Sequence, residues 1–287
     1  ATQRDLLGFD AVVHLAALSN DPLGEIDPNL TRDINHRASV RIAKMARGAG
    51  VQRFVFSSSC SMYGQAGAAA LDETATFNPQ TVYAESKVLA ERDIALLADE
   101  TFSPVYLRNA TAYGLSPCQR FDLVLPNLSG FAHTTGEVRL QSDGTPWRPL
   151  VHIRDICNAV IASLRAPRET IHNEAFNIGR NQDNYQIRDI ALAVHRAFEG
   201  SQITFGPSSK VPDTRSYRVD FTKAATKLPG FKPEWDLEKG VQECVSEFRR
   251  IGLTPFVFQH RVYTRLRQIR HLIEHNQLDE QLRWKAA

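Results

Sequence analysis

The first part of the chain alternates short apolar runs with longer amphipathic segments, a pattern that predicts parallel strands joined by helices. Apolar runs predict buried strands at residues 12–17, 51–56 and 104–107. Helices are predicted over residues 30–49 and from Tyr83 to about Leu97. In the first helix, an apolar stripe is expected on one face, formed by Ile34, Ala38, Ile42 and Met45.

After Gly114 this regular alternation stops, and prolines punctuate loop-rich stretches, which predicts a second, smaller domain. The chain is expected to return to the sheet near residues 155–164 and 175–178 and to leave it again from about Ile187. The two domains therefore interleave in sequence. The predicted boundaries are a sheet domain at 1–114 with a return at about 150–180, a smaller α+β domain at 115–149 and about 181–250, and a helical tail at 251–287.

The tail combines an apolar helical stripe with several arginines. The stripe consists of Val262, Leu266, Ile269 and Ile273. A basic amphipathic helix can bind nucleic acid or an acidic membrane, or it can pack its apolar stripe on its own protein or on a second copy. The net charge of +2 favours packing over a nucleic-acid or membrane partner.

The composition, with 43% hydrophobic and 23% charged residues, is typical of a globular protein with a sizeable core. The cysteines lie far apart and form no C-x-x-C pair; they are Cys60, Cys118, Cys157 and Cys244. This spacing predicts reduced thiols rather than a disulfide framework or a metal site. We therefore expect a cytoplasmic protein with neither a membrane span nor a secretory signal.

The clearest chemical signal is the pair Tyr83 and Lys87. On a helix, positions four apart share a face, so the lysine ammonium is expected to lie beside the phenol and to lower its pKa. Such a tyrosine can exchange a proton with an alcohol near neutral pH. A hydroxyl from the serine run 57–59, which follows a predicted strand, can hold the same substrate oxygen. The three groups suit carbonyl/alcohol redox chemistry.

Further motifs follow in a fixed order along the chain. They are Val-Val-His-Leu-Ala-Ala at 12–17, Asn35, the serines at 57–59, the Tyr83/Lys87 pair, Leu-Arg-Asn-Ala-Thr-Ala-Tyr-Gly at 107–114, and the segments 144–155 and 212–220. This ordered set resembles the extended short-chain dehydrogenase/reductases, and within them the NAD-dependent nucleotide-sugar epimerases and dehydratases, of the UDP-glucose 4-epimerase kind. The resemblance covers nearly the whole chain.

The resemblance implies an α/β fold: a Rossmann-like doubly wound parallel sheet, N-terminally truncated, with a smaller α+β substrate-binding cap. Residues 1–114 would then be a partial NAD(P)-binding domain. No G-x-G-x-x-G turn precedes the first strand, and the chain begins with Ala1. We expect a fragment of a longer reading frame that lacks full cofactor binding by itself. A natural truncation that lost the cofactor stays open.

By this resemblance, Tyr83 is the catalytic acid/base, Ser59 the catalytic serine, and Lys87 both lowers the tyrosine pKa and binds the nicotinamide ribose. The implied cofactor-binding residues are Leu15, Ala16, Ala17, Asn35, Ser57, Ser58, Tyr83, Lys87 and Asn109. His14 is expected to be a satisfied core histidine rather than a ligand. The implied cofactor is NAD, with NADP left open.

The implied substrate-binding residues are Ser19, Cys60, Ser61, Thr111, Asn127, Arg148, Lys210, Asp213 and Arg215. An arginine fork such as Arg148 suits the oxygens of a diphosphate. Asp155 is expected to cap its own helix. No metal site is predicted.

One departure narrows the reaction. In the 4,6-dehydratases of the family, the catalytic serine or threonine is followed by Asp-Glu, whereas this chain has Cys60 and Ser61. The resemblance therefore favours epimerisation of a nucleotide-activated sugar through a transient keto-sugar. A nucleotide-sugar reductase or dehydrogenase of the same family, and a catalytically silent Rossmann-like binding protein, stay open. The family also implies a homodimer.

Overall fold

The computed structural model describes residues 2–67, 69–140, 142–206 and 215–285. Its strands are β1 (Ala11–His14), β2 (Arg53–Ser59), β3 (Ala70–Leu71), β4 (Ser103–Asn109), β5 (Thr111–Tyr113), β6 (Glu137–Arg139), β7 (Trp147–His152), β8 (Glu174–Ile178), β9 (Asn184–Gln186), β10 (Gln202–Thr204) and β11 (Arg218–Val219). Its α-helices are α1 (Asp21–Gly24), α2 (Pro28–Arg32), α3 (Ala38–Gly48), α4 (Val82–Ala95), α5 (Val124–Thr135), α6 (Ile153–Arg165), α7 (Arg168–Ile171), α8 (Ile187–Ala197), α9 (Thr222–Lys227), α10 (Leu237–Arg250), α11 (Pro255–Phe258) and α12 (Arg265–Glu274).

A parallel sheet in the order β1-β2-β4-β8 forms the centre of the first part of the chain. In its register, Arg53 of β2 lies opposite Ala11 on one side and Ser103 on the other. At the far end of the same strands, Ser59 lies opposite Asn109. The carboxyl ends of β2 and β4 therefore meet at one edge, where open α/β sheets bind their ligands.

Helices cover both faces of this sheet. Phe54 and Phe56 of β2 pack in one buried cluster with residues of α3 and α4, among them Ile94. Val55, which lies between the two phenylalanines and points to the opposite face, packs in a second cluster with Ala159 of α6. The α/β prediction of a doubly wound parallel sheet is confirmed.

The chain divides into two compact units. The first contains described residues 2–112, 146–185 and 215–235, and the second contains 113–140, 142–145, 186–206 and 236–285. The prediction that all of 181–250 belongs to the smaller domain is wrong, because 215–235 returns to the first unit. There β11 pairs in parallel with β3, and Phe221 is buried in the core of that unit.

The helix predicted over 30–49 exists, but a π-helical turn at Asp33–Arg37 separates α2 from α3. The predicted apolar stripe is only half-buried, and the fully buried positions lie one residue further along, at Thr31, Asn35, Ser39, Ala43 and Ala46. These side chains are small or hydrogen-bonded: the Thr31 hydroxyl donates to the Gly24 carbonyl and the Ser39 hydroxyl to the Asn35 carbonyl, both at 2.7 Å. The stripe flanks the buried face, and Ile42 packs against the core cluster of this unit.

The C-terminal tail belongs to the second unit. Val262 lies in a 3₁₀ turn at Arg261–Tyr263, and the other members of the predicted stripe lie on α12. The Phe121 amide donates to the Tyr263 carbonyl at 3.0 Å, which attaches the turn to the rest of the unit. No residue of α12 is fully buried in the described part of the chain. In the same residues, no helix is both long and apolar enough to span a bilayer.

Candidate active site

Helix α4 carries the Tyr83/Lys87 pair and begins at a hydrogen-bonded cap. Thr81 is the N-cap residue, and its hydroxyl accepts from the Ala84 amide at 3.2 Å. The same hydroxyl donates to the Asp21 carboxylate at 2.7 Å. The cap fixes where the helix begins, and it thereby places Tyr83 in the first turn and Lys87 in the second.

Lys87 is 4% exposed and lies at the carboxyl end of β2. Its Nζ donates to the Ser57 carbonyl at 2.7 Å and lies 4.7 Å from the centroid of the Phe56 ring. The same atom is 5.9 Å from the centroid of the Tyr83 ring, so the helical spacing does bring the amine and the phenol ring together. Burial lowers the pKa of Lys87 to about 8, and the carboxylate of Glu91 opposes this shift.

Ser59 ends β2 and begins the 3₁₀ turn Cys60–Tyr63. Its Oγ accepts from the Ser61 amide at 3.1 Å, so the hydroxyl caps the turn. A hydroxyl has one proton to donate and a second lone pair, and this capping bond leaves both available. The capping bond is therefore compatible with binding a substrate oxygen.

Three buried side-chain oxygens at this edge have no hydrogen-bond partner within the described residues: Ser58 Oγ, Ser61 Oγ and Asn109 Oδ1. The amide of Asn109 donates to Ser57 Oγ at 3.2 Å, which holds the ends of β2 and β4 together. Buried polar atoms are normally paired, and exceptions occur where a ligand or water binds. Polar ligand atoms fit this edge.

Asn35, in the π-helical turn, connects the loop after β1 to helix α4. Its Oδ1 accepts from the Leu18 amide at 2.8 Å, while its Nδ2 donates to the Leu18 carbonyl and to Ser86 Oγ, both at 3.1 Å. The Ser86 hydroxyl in turn donates to the Tyr83 carbonyl at 2.7 Å. Asn35 is fully buried, so it orders the site rather than presenting a free amide.

His14, the last residue of β1, is half-buried, and its ring is hydrogen-bonded and packed on the sheet. Its Nε2 lies 2.8 Å from Ser39 Oγ, and its ring stacks on Phe56 with centroids 6.0 Å apart. Burial, helped by the nearby Lys87 charge, lowers the pKa of His14 to about 4. The imidazole is therefore neutral at physiological pH.

The small residues that follow β1 lie at the surface of the first unit. Leu15 is 64% exposed, Ala16 is exposed and Ala17 is half-buried. Ser19, further along the same loop, is half-buried. These residues leave the backbone after β1 accessible to a ligand.

Two predicted substrate-binding residues, Cys60 and Ser61, start the 3₁₀ turn after Ser59. The Cys60 thiol is fully buried in the core, where it donates to the Arg108 carbonyl at 3.0 Å, and burial raises its pKa well above the usual value. The thiol therefore has its hydrogen-bond partner inside the core, and the assignment of Cys60 to substrate binding stays a prediction. Ser61 carries one of the unpaired buried oxygens and stays a candidate.

Three further predicted substrate residues lie in the first unit. Thr111 begins β5 and Arg148 lies on β7, where its Nη1 donates to the Trp147 carbonyl at 2.8 Å. Arg215 donates from Nη1 to the Asp21 carboxylate at 2.7 Å. Asp21 thus connects Arg215 to the cap of helix α4.

Asn127 lies in the second unit, on α5, and donates to the Phe121 carbonyl at 2.8 Å. It lines an open pocket of about 1140 Å³, together with Phe131, Arg139, Thr204 and Phe205. Arg139 and both phenylalanines are exposed there. The pocket offers aromatic surface, one cation and amide and hydroxyl groups. Lys210 and Asp213 lie outside the described residues.

Asp155 does not cap its own helix. His152 is the N-cap of α6, and its ring nitrogen accepts from the Arg154 amide. The Asp155 carboxylate instead accepts from the amides of Glu234 and Trp235, both at 3.1 Å. Asp155 therefore binds the backbone of the loop at 234–235 instead of the first turn of its own helix.

Sequence reasoning also missed several residues around α4, namely Asp21, Ser39, Thr81, Ser86, Glu91 and Arg108. Thr81 could have been found from the N-cap preference, and Glu91 from its position four residues after Lys87. Arg108 and Asp21 act through contacts between distant segments, for which no local signal exists.

Comparison with known proteins assigns the chain to a family. Residues 2–179 match the NAD dependent epimerase/dehydratase family. The chain belongs to this family. A UDP-glucose 4-epimerase of Lactobacillus helveticus is 30% identical over 246 residues, which cover 79% of this chain and 72% of the relative. UDP-glucose 4-epimerase 4 of Oryza sativa subsp. japonica is 26% identical over 270 residues, covering 86% of this chain and 71% of the relative.

Solved structures agree with the fold. MoeE5 in complex with UDP-glucose and NAD is 26% identical with a TM-score of 0.75, covering 87% of this chain and 82% of MoeE5. The UDP-glucose 4-epimerase of Thermotoga maritima with UDP-glucose is also 26% identical with a TM-score of 0.75, covering 84% of this chain and 78% of that one. Members of this family are enzymes of nucleotide-sugar chemistry.

Proposed function

We propose that this protein epimerises a nucleotide-activated sugar with the help of NAD, through a transient keto-sugar. The observation that carries the proposal is the arrangement on helix α4: a buried lysine beside the ring of Tyr83, at the carboxyl end of β2 where Ser59 lies. A phenol held near a cation and a second hydrogen-bonding hydroxyl can exchange a proton with a sugar hydroxyl.

The residues present fit the dinucleotide. Ser58 Oγ and Asn109 Oδ1 have no hydrogen-bond partner within the described residues, so they can bind polar atoms of the dinucleotide. The backbone of 15–17, after β1, is accessible to it. We assign contacts with NAD to Leu15, Ala16, Ala17, Ser57, Ser58, Lys87 and Asn109, while Asn35 holds the loop and helix in place. When bound, the nicotinamide accepts a hydride and returns it.

The side chains of the chain handle the proton. Tyr83, as a phenolate, takes the proton from the sugar hydroxyl that becomes the ketone, and it returns the proton when the hydroxyl forms again. Lys87 stabilises the phenolate through its ammonium, and Ser59 hydrogen-bonds the same sugar oxygen. Inversion follows when the ketone is reduced on its opposite face.

Binding of the nucleotide sugar is assigned to several predicted residues. The diphosphate would interact with Arg148 and Arg215, because guanidinium forks match phosphate oxygens. Ser19, Ser61 and Thr111 would bind the sugar. Asn127, in the second unit, stays a predicted substrate-binding residue. UDP-sugars are the first substrates to test, since the named relatives act on UDP-glucose.

A 4,6-dehydration is disfavoured by the turn after Ser59. An elimination of water needs an acid and a base at the sugar, and the two positions carry Cys60 and Ser61. The Cys60 thiol is fully buried and its pKa is raised, so it cannot supply either group.

The test is turnover of UDP-glucose and UDP-galactose with NAD by the purified chain extended upstream to its start codon, compared between wild type and Tyr83→Phe. We expect kcat to fall at least about a hundredfold, the lower end of a general acid–base contribution, with binding of the nucleotide sugar by calorimetry retained. The matched control is Tyr106→Phe, which removes a buried hydroxyl bonded to Asn173 in the same unit and should leave turnover intact.

Undiminished turnover in Tyr83→Phe would refute the assigned role. Net accumulation of reduced nicotinamide without a second sugar epimer would replace epimerisation by a dehydrogenase reaction. If neither this chain nor a chain extended upstream to its start codon binds NAD, the enzyme hypothesis is retired and the catalytically silent Rossmann-like protein takes its place.

A further inference from the structure

A buried ion pair lies one helical turn beyond Lys87 and takes no part in the chemistry proposed above. Glu91 and Arg108 each have 7% of their side chains exposed. Arg108 Nη2 donates to Glu91 Oε2 at 2.8 Å, and Nε contacts both carboxylate oxygens at 3.1 and 3.2 Å. The remaining nitrogen, Nη1, donates to the Tyr63 hydroxyl at 3.2 Å and to the Glu73 carbonyl at 3.0 Å. The guanidinium is therefore fixed in one orientation.

The position of the pair along α4 relates it to the candidate site. Tyr83, Lys87 and Glu91 follow one another at intervals of four, which places the three side chains on one face of the helix. Lys87 and Glu91 are both buried, so their charges interact with little screening by water.

Lys87 needs a counter-charge to stay protonated there. The hydrogen-bond acceptor of its ammonium is the Ser57 carbonyl, a neutral group, and a buried ammonium without an anion tends to lose its proton. The groups around it are the Phe56 ring and Ser57 carbonyl of β2, the neutral His14 of β1, and on its own helix Tyr83 and Glu91. Arg108 of β4 lies beyond Glu91, on the carboxylate that it binds. Among these, Glu91 is the carboxylate.

We infer that Glu91, oriented by Arg108, is the counter-charge that keeps Lys87 an ammonium at neutral pH. This makes Glu91 and Arg108 positioning residues for the Tyr83/Lys87 pair, and in that respect the inference rests on the proposed function. The two have opposite direct effects on Lys87. The carboxylate attracts the ammonium, whereas the guanidinium repels it and also competes for the same carboxylate.

The experiment follows the protonation of Lys87 directly. The protein is labelled with lysine carrying ¹³C at Cε, and the Lys87 resonance is identified by its loss in Lys87→Arg. The chemical shift of this resonance is followed against pH, and its titration midpoint should lie near pH 8 in wild type. In Glu91→Gln we expect the midpoint to fall by about one pH unit or more, because Lys87 then faces Arg108 without the anion.

In Arg108→Gln we expect the midpoint to rise, because Glu91 then has Lys87 as its remaining cationic neighbour on this face. The double variant Glu91→Gln/Arg108→Gln should lie between the two single variants. A merely structural role for the ion pair does not predict opposite directions. The matched control is Glu85→Gln, which removes a carboxylate paired with Arg32 at 2.8 Å on the same helix but 40% exposed, and it should leave the midpoint unchanged.

An unchanged Lys87 midpoint in folded Glu91→Gln overturns the inference. If that variant does not fold, Arg108→Gln decides instead, and a midpoint at or below the wild-type value overturns it. In the active enzyme, the alkaline limb of the kcat/KM profile should move to lower pH in Glu91→Gln and return in Glu91→Asp. The resonance measurement needs no turnover. If the Lys87 midpoint shifts in Glu91→Gln but Tyr83→Phe keeps its turnover, the proposed function alone is refuted. If the Lys87 midpoint does not shift in Glu91→Gln but Tyr83→Phe loses its turnover, this inference alone is refuted.

Discussion

Two carboxylates on helix α4 form ion pairs of the same length but in different surroundings. Glu85–Arg32 and Glu91–Arg108 both have a nitrogen–oxygen distance of 2.8 Å. The first pair keeps 40% and 34% of its side chains exposed, and the second keeps 7% and 7%. Water screens the exposed pair more than the buried pair, so the buried pair acts more strongly on its neighbours. Burial and helical position, rather than bond length, therefore distinguish the carboxylate that can control the charge of Lys87.

The largest expected effect separates these two pairs by stability. Glu91→Ala leaves the Arg108 guanidinium buried without its anion and should lower the free energy of unfolding by about 3–5 kcal/mol. Glu85→Ala should cost less than about 1 kcal/mol, because the Arg32 guanidinium that it leaves behind is already partly solvated. Urea unfolding followed by circular dichroism measures both. Equal losses of unfolding free energy in the two variants would mean that burial does not distinguish the two ion pairs.

The next effect contrasts a buried with an exposed imidazole as the pH falls. The pKa of His14 is about 4 in the folded protein against 6.5 ordinarily, so between these values the unfolded chain binds a proton that the folded chain does not. Stability is therefore fully present above pH 6.5 and declines as the pH falls toward 4, by up to about 3 kcal/mol at 1.36 kcal/mol per unit.

His14→Gln, which cannot take up the proton, should remove this decline from urea unfolding curves recorded between pH 7 and pH 4.5. The control His275→Gln alters an exposed residue at the end of α12 and should leave the pH dependence as in wild type. A decline that persists in His14→Gln would assign the acid sensitivity to other groups.

Local patterns predicted the elements of the fold but not every contact between them. The apolar runs located β2 and β4, and the Tyr83/Lys87 spacing located α4 to within two residues at its end. The burial of Asn35 and Ser39 beside the Ile34 stripe could not be predicted, because it depends on hydrogen bonds, which hydrophobicity does not measure. The return of 215–235 to the first unit depends on β3 and β11, strands of two residues each whose pairing has no local signal.

In the candidate site, too, a contact within one helix could be predicted from the sequence, whereas contacts between distant segments could not. The contact between Lys87 and Tyr83 follows from helical spacing, so it could be predicted from seven consecutive residues. The contact between Glu91 and Arg108 joins α4 to β4, and residue types alone do not say which arginine reaches a given carboxylate. The burial of Cys60 was missed for a similar reason, since the direction of a side chain after a strand depends on the turn that follows.

The smallest expected effect compares two threonine caps of the same chemistry. Thr81 caps α4, is half-buried and also donates to Asp21, whereas Thr254 caps the short helix α11 and is exposed. Thr81→Ala should cost about 1–2 kcal/mol of unfolding free energy, at the upper end of cap losses, and Thr254→Ala about 0.5 kcal/mol. Because Thr81 also fixes the turn that carries Tyr83, Thr81→Ala should reduce turnover of UDP-glucose at temperatures where the protein is fully folded, and Thr254→Ala should not. If the two substitutions lowered stability equally and neither changed turnover, Thr81 would be an ordinary N-cap. Its contact with Asp21 would then have no effect on the position of Tyr83.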